Sequence, residues 1–231
     1  MHKIFLLNKN IHLIVGNALI FDLFENKKIG IRPIVIPKIN SGFITNLKFK
    51  KLLLNADHFI LTGSSLIRIS TIKSFGLLDE RLESFADGFL TRIIALEYGF
   101  FFLNKTVSIW NINEKSFSRL NQINIKKSLL LLKSATDKIN QYTLFPKSYK
   151  KLFQKRWLFF TIYKNKKLHH SILKYINDNK LIPKHISFFF NLNIFNNYFL
   201  SSIRKLLILF IFFPHSFYLI MLTKLRRFFF T

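Results

Sequence analysis

Short apolar runs and amphipathic stretches alternate along the first half of the chain. Apolar, β-branched runs predict strands over residues 11–19 and 29–36, and Pro33 makes the second an edge or irregular strand. The pattern also predicts a strand over 58–62, a turn at 63–65, an apolar strand segment over 66–69 and short helices over 46–55 and 70–75. Strands that alternate with helices indicate an α/β domain.

The stretch from residue 75 to residue 118 has the clearest helix signals. Asp87 stands before an apolar pattern of helical spacing, and Gly99 stands where a helix over 88–98 would end. Two strands with a turn between them are predicted next, over 100–103 and 107–110 with the turn at 104–105.

The second half predicts helices with Lys on one side and large apolar residues on the other. Two of them cover 125–142 and 147–163, and such helices pack on a neighbouring domain or lie on a membrane. Residues 206–222 carry no formal charge, are flanked by bases and are interrupted by Pro214. This segment predicts a membrane-associating helix or hairpin with a kink, and a buried core hairpin is the alternative.

The charge is distributed unevenly between the two halves. The chain carries 36 Lys and Arg against 11 Asp and Glu, a formal net charge of +25. Residues 1–114 hold nine acids and fourteen bases, whereas residues 115–231 hold two acids and twenty-two bases. Such a surplus indicates an anionic neighbour: a membrane surface, nucleic acid or phosphorylated substrates. A/T-rich codon usage is an alternative source of part of the Lys excess.

The residue types present argue against cysteine-dependent sites and against nucleic-acid binding. The chain has no cysteine, which excludes disulfides, thiolate metal sites and a cysteine nucleophile. Nucleic-acid binding is disfavoured because the chain has no zinc finger, no RNA-recognition signature and no Arg-rich arm.

The apolar run at the N-terminus is interrupted too early for a secretory signal, so we expect the chain at the cytoplasmic face of the cell membrane.

Four short motifs follow one another between residues 76 and 116. They are Gly76-Leu77-Leu78-Asp79-Glu80-Arg81-Leu82, Ala86-Asp87, Tyr98-Gly99-Phe100 and Trp110-Asn111-Ile112-Asn113-Glu114-Lys115-Ser116. In this order and spacing they resemble the acceptor-side half of family 2 glycosyltransferases, which use nucleotide-sugar donors and have a Rossmann-like α/β fold. The resemblance covers roughly residues 10–120.

The resemblance implies a catalytic role for Asp87. An inverting transferase needs a carboxylate that takes the proton from the acceptor hydroxyl, and the family's base matches Asp87. The alternative is that Asp87 caps the following helix. For Arg92, on that helix, we expect a surface ion pair with Asp87 or Glu83, a phosphate contact being the alternative.

The resemblance also implies acceptor-side residues. Asp79 and Glu80 match a turn that shapes the acceptor side, and Trp110 belongs to the last motif. A solvated pair of turn carboxylates is the alternative for Asp79 and Glu80.

The chain departs from the family pattern in two places. Asn111 and Asn113 stand where the family commonly has Arg and His. The Asp-x-Asp that would hold a divalent metal, Mg²⁺ or Mn²⁺, on the donor diphosphate is absent. We therefore expect an N-terminally truncated transferase whose donor-binding half is missing, with a separate chain as a possible source of it.

These observations predict three regions and one activity. The regions are the C-terminal part of a glycosyltransferase-like domain (1–120), a basic helical region (121–200) and a hydrophobic membrane-associating segment (201–231). The activity is inverting transfer of a sugar from a nucleotide-sugar donor to a glycan or lipid-linked acceptor. The alternative is a non-catalytic, cationic, membrane-associated remnant or accessory protein.

Overall fold

A computed structural model of the chain describes residues 1–33, 38, 40–55, 57, 60, 62–112, 124–164 and 170–182. The strands in these ranges are β1 (Leu13–Asp22), β2 (Lys27–Arg32), β3 (Gly42–Ile44), β4 (Ser65–Ile67) and β5 (Phe100–Ile112). The helices are α1 (His2–Leu7), α2 (Asn46–Asn55), α3 (Ile69–Ser74), α4 (Ala86–Tyr98), α5 (Ile125–Gln141), α6 (Tyr149–Lys164) and α7 (His170–Asp178). Short 3₁₀ turns cover Thr62–Ser64 and Glu80–Phe85.

The described strands form one mixed sheet. Its order is β2-β1-β5-β3, and β4 pairs with β1 beside this path. β1 and β5 are parallel, and the other pairs are antiparallel. With helices packed against this sheet, the fold is α/β, as the sequence predicted.

Gly99 makes the tight connection from α4 to β5. Its φ is +73°, in the left-handed region that favours glycine, and a Cβ there would collide with the carbonyl oxygen of Ile44. The predicted helix stop is therefore confirmed. The helix itself begins at Ala86, two residues before the predicted start.

β5 is one continuous strand, so the prediction of two strands joined by a turn is wrong. Gly16 of β1 is opposite Leu103, but the next residue, Asn17, is opposite Thr106. Residues 104 and 105 of β5 therefore bulge out of the ladder, and Val107 is skipped as well, because Ala18 is opposite Ser108. On both sides of this irregularity β5 pairs with the same long strand. The bulged Asn104 accepts a hydrogen bond from the Asn17 side chain at 2.9 Å.

The two faces of the sheet bury different sets of side chains, because successive residues of a strand point to opposite faces. One face joins the main core together with α2 and α4, through Leu13, Val15, Phe100 and Phe102. The other face packs against α1 through Ile14 of β1, with Phe5 and Ile11 in the same small cluster.

The helices α5 to α7 belong to the main core. Leu132 of α5, Phe159 of α6 and Ile172 of α7 are fully buried in the same cluster as the sheet residues. The helices predicted over 125–142 and 147–163 are confirmed within two residues. The region boundaries at residues 120 and 200 stay predictions.

Two predicted segments fall wholly or largely outside the described residues. The membrane-associating segment 201–231 lies outside them completely. The strand predicted over 58–62 lies mostly outside them, and its last residue, Thr62, begins a 3₁₀ turn.

Candidate functional site

Asp87 lies inside the first turn of α4. The N-cap residue of α4 is Phe85, which makes no side-chain cap bond, so Asp87 does not occupy the N-cap position. Its carboxylate nevertheless accepts from a backbone N–H of the first turn, so the alternative that Asp87 caps the helix stays open. The Asp87 side chain is exposed, and its Oδ1 accepts a hydrogen bond from the backbone N of Gly88 at 2.5 Å. Among the described residues no cation pairs with this carboxylate. A negative charge is favourable here because the helix dipole presents its positive end to the first turn.

Asp79 is the N-cap residue of the 3₁₀ turn that leads into α4. It accepts hydrogen bonds from the Arg81 backbone N at 3.2 Å and from Arg81 Nε and Nη2 at 2.9 and 2.8 Å. Lys138 of α5 approaches the same carboxylate at 2.9 Å. The hydrogen bonds from Arg81 and Lys138 hold the pKa of Asp79 well below its usual range. Asp79 is therefore an anchor between this turn and α5.

A cavity of about 300 Å³ opens beside Asp79, and we name it the Asp79 cavity. Apolar and charged side chains line it, from the segment before α4, from α4 and from the end of α5: Phe75, Gly76, Leu77, Asp79, Arg81, Ala86, Phe89, Leu90, Ile93, Lys138 and Tyr142. Ala86 of the first turn of α4 is part of its lining, whereas the next residue, Asp87, is not.

Glu80 and Trp110 stand apart from the Asp79 cavity. Glu80 is exposed at the start of the 3₁₀ turn. Trp110 lies near the end of β5, where the guanidinium of Arg32 stacks 4.9 Å from its ring centroid. Burial lowers the pKa of Arg32 to about 10. Within the described part of the chain, no hydrogen bond, ion pair or ring contact joins Trp110 to Asp79, Glu80 or Asp87.

Arg92 does not form the predicted surface ion pair with Asp87 or Glu83. Its Nε donates to Asp57 Oδ1 at 2.8 Å, and both side chains are largely buried. Its Nη1 donates to the Gly88 carbonyl at 2.6 Å. Glu83 instead pairs with Lys127 of α5 at 3.0 Å. The interior position of Arg92 follows from the packing of α4, which turns that side chain toward the segment after α2.

Asp57 is the centre of a buried polar cluster. Besides Arg92, the Tyr149 hydroxyl donates to Asp57 Oδ2 at 2.5 Å, and Arg156 Nη1 lies 4.0 Å from the same oxygen. Arg156 also donates to the carbonyls of Leu53 and Leu54, both at 2.7 Å. We call Asp57, Arg92, Tyr149 and Arg156 the Asp57 cluster. It ties the end of α2, the middle of α4 and the face of α6 together.

Burial and the neighbouring charges shift the pKa values of the Asp57 cluster. Burial alone would lower the pKa of Arg92, but the Asp57 carboxylate raises it above its usual value. Burial raises the pKa of Tyr149 well above its usual value, and Asp57 raises it further. Burial lowers the pKa of Arg156. The two arginines and Asp57 thus form a charged group in which the single carboxylate compensates buried cations.

The sequence contains only one weak signal for the Asp57 cluster. Tyr149 and Arg156 are seven residues apart and therefore share a helix face, but Asp57 and Arg92 come from other elements. Their separations along the chain, 35 residues between Asp57 and Arg92 and 92 between Asp57 and Tyr149, carry no local pattern.

Neither a metal site nor a membrane span is found in the described part of the chain. No group of three or more His, Cys, Asp or Glu side chains is placed to hold a metal ion there. The helices in these ranges are also too short or too polar to cross a bilayer.

Comparisons of this chain with protein-family models, with curated proteins and with solved structures give no match.

Proposed function

We propose that this protein is a family 2-type glycosyltransferase with a Rossmann-like domain, in which Asp87 is the general base. The observation that carries the proposal is the exposed Asp87 carboxylate in the first turn of α4, which has no cationic partner among the described residues. The order of the four motifs between residues 76 and 116 supports the same reading.

The proposed reaction inverts the anomeric centre. The acceptor hydroxyl oxygen attacks the anomeric carbon of the donor, while Asp87 takes the hydroxyl proton. The bond between that carbon and the diphosphate oxygen breaks, and its electron pair leaves on the nucleoside diphosphate. Asp79 and Glu80 shape the acceptor side in this proposal, and Trp110 contributes an aromatic face for a sugar ring.

The donor side is not assigned to residues of this chain. A Mg²⁺ or Mn²⁺ ion would neutralise the diphosphate in the resembled family, but the described residues contain no group of ligands that fits one. We therefore derive no step through a metal. A separate chain that binds the nucleotide sugar is the partner that would complete the site, and the acceptor would be a glycan or a lipid-linked sugar at the cytoplasmic face of the cell membrane.

The test compares Asp87→Asn with wild type in a transfer assay on isolated membranes, with a panel of nucleotide sugars. We expect the turnover rate to fall roughly 10²- to 10⁴-fold, as for loss of a general base, with an unchanged melting temperature. Glu97→Gln is the matched control, since Glu97 is an exposed carboxylate in the last turn of the same helix. Turnover by Asp87→Asn at the wild-type rate would refute the role of Asp87.

The second candidate is a non-catalytic, membrane-bound accessory protein. The observation that favours it is the charge of residues 115–231, which hold twenty-two bases and two acids. Such a protein binds anionic vesicles but does not bind a nucleoside diphosphate with Mg²⁺ or Mn²⁺. Equilibrium dialysis with UDP and GDP, beside vesicle sedimentation, separates the two candidates.

A further inference from the structure

The helix α1 buries one side against the sheet and leaves apolar residues exposed on another. Phe5 is 8% exposed and belongs to the small cluster that contains Ile14 of β1. The next two residues, Leu6 and Leu7, are instead 67% and 73% exposed. Removing two such side chains from water is favourable, so this side of α1 is suited to an apolar or amphiphilic partner.

An open pocket of about 500 Å³ continues the apolar surface of α1. Leu7 lines it together with Phe43 of β3, which is 44% exposed. Ile11 and Phe101 also line it and are more deeply buried. Leu6, Leu7 and Phe43 therefore present apolar side chains to solvent, and we call these three residues the α1 patch.

The segments that carry the α1 patch are basic and contain no acid. Residues 1–21 and 38–55 hold six lysines and neither Asp nor Glu. Lys9 lines the pocket, and Lys3 lies one helical turn before Leu7 on α1. Both lysines are exposed, and neither forms an ion pair with a described residue. Their charges are therefore available to an anionic partner.

From the exposed apolar side chains and the available lysines we infer that the α1 patch binds the surface of an anionic lipid bilayer. The three apolar side chains enter the boundary between head groups and acyl chains, and Lys3 and Lys9 lie against the lipid phosphates. Apolar residues beside cations, without carboxylates, match a surface that is apolar within and negative outside. The inference does not rest on glycosyl transfer, because contact with lipid is measured without a donor or an acceptor.

The experiment places one fluorescent label on the full chain. Because the chain has no cysteine, Leu7→Cys gives a single attachment point for an environment-sensitive fluorophore. Phe24→Cys is the matched control, since Phe24 is 94% exposed and follows the far end of β1, a strand roughly 30 Å long. With vesicles of phosphatidylglycerol and phosphatidylcholine, we expect the emission to shift to shorter wavelength at position 7 and to stay as in water at position 24. The label reports its own site even where another segment also binds the vesicle.

Two lysine substitutions test the electrostatic part of the inference. Lys3→Gln and Lys9→Gln should each weaken binding to these vesicles about fivefold, as measured by sedimentation, because each removes one charge near the anionic surface. Lys28→Gln is the control, since Lys28 is exposed and lies opposite Phe21 at the far end of β1. It should leave the vesicle binding unchanged.

Four results would overturn the inference: no binding of the chain to the vesicles, a label at position 7 that stays in water on the bound chain, equal shifts at positions 7 and 24, or equal weakening by Lys9→Gln and Lys28→Gln. A fifth would replace the partner. If the emission at position 7 shifts with rising protein concentration and vesicles add nothing, the α1 patch binds a second copy of this chain and not a membrane.

Discussion

Asp57 and Asp87 are two carboxylates at the helix α4, in opposite environments. Asp87 lies in the first turn of α4, and Asp57 binds the side chain of Arg92 in the middle of it. Asp57 is 8% exposed and faces two arginines and a tyrosine hydroxyl, whereas Asp87 is exposed and accepts one backbone hydrogen bond. A buried charge without partners is costly, so the Asp57 cluster is filled with compensating groups. An exposed carboxylate needs no such compensation and keeps an oxygen available. The comparison separates a carboxylate that holds the helix from one whose side chain is exposed to solvent.

Arg92 joins these two regions. Its guanidinium bonds Asp57 on one side and the Gly88 carbonyl on the other, and it also stacks 5.2 Å from the ring of Phe85. Phe85 directly precedes the first turn of α4, and Gly88 follows Asp87 within that turn. The Asp57 cluster therefore fixes the position of the first turn of α4 without touching the Asp87 side chain.

The largest effect is expected for Asp57→Asn. The substitution leaves the buried cations Arg92 and Arg156 without their counter-charge, which should lower the free energy of unfolding by about 3–5 kcal/mol. Urea unfolding measured by circular dichroism checks it. Asp87→Asn is the matched comparison and should change this free energy by less than about 0.5 kcal/mol. Equal losses of unfolding free energy in Asp57→Asn and Asp87→Asn would contradict the idea that only Asp57 stabilises the fold.

A smaller effect is expected for Tyr149→Phe. This variant keeps the ring in the core and removes the hydroxyl that donates to Asp57, so about 1–3 kcal/mol of unfolding free energy should be lost. The same urea titration measures it. Tyr142→Phe serves as the control, because the Tyr142 hydroxyl makes no hydrogen bond to the described residues. A Tyr149→Phe variant as stable as wild type would mean that Asp57 is compensated by the arginines alone.

The smallest effect is expected for Asp79→Asn, and it depends on pH. Because the pKa of Asp79 is depressed in the fold, the ionised carboxylate stabilises the protein at pH values above the usual aspartate pKa of 3.8. That stabilisation is lost as the pH falls below this value. The difference in unfolding free energy between wild type and Asp79→Asn should therefore be constant near neutral pH and shrink in acid. A difference that grows in acid would contradict the depressed pKa.

The sequence predicts helices well where the signals are local. The predicted helix over Asn46–Asn55 is observed with the same ends, and Gly99 ends α4 as its position indicates. The bulge in β5 lies where the sequence predicts a turn, because Asn104 with its basic neighbour has the local composition of a turn. The long β1 strand pairs with β5 on both sides of the bulge, so β5 continues as one strand.

The candidate site is less predictable than the fold. The motifs of the resemblance identify Asp79 and Asp87, but they do not indicate that Asp79 is neutralised by Lys138 from a helix more than fifty residues away. The position of Arg92 on the predicted helix indicates a surface ion pair, although packing of α4 against α2 directs it to Asp57. Ion pairs between distant elements leave no periodic signal in one sequence.

Periodicity, glycine positions and the uneven charge by themselves determined the α/β class, the extents of the main helices and the cationic character of the second half. These features follow from local backbone preferences and from composition, which act without knowledge of the fold. Tertiary structure alone decided that Asp57 is buried and that Asp87 is exposed, and it formed the Asp79 cavity between α4 and α5. The physical reason is that burial and charge pairing are properties of neighbours in space, and Asp57 and Tyr149 are neighbours although 92 positions separate them along the chain.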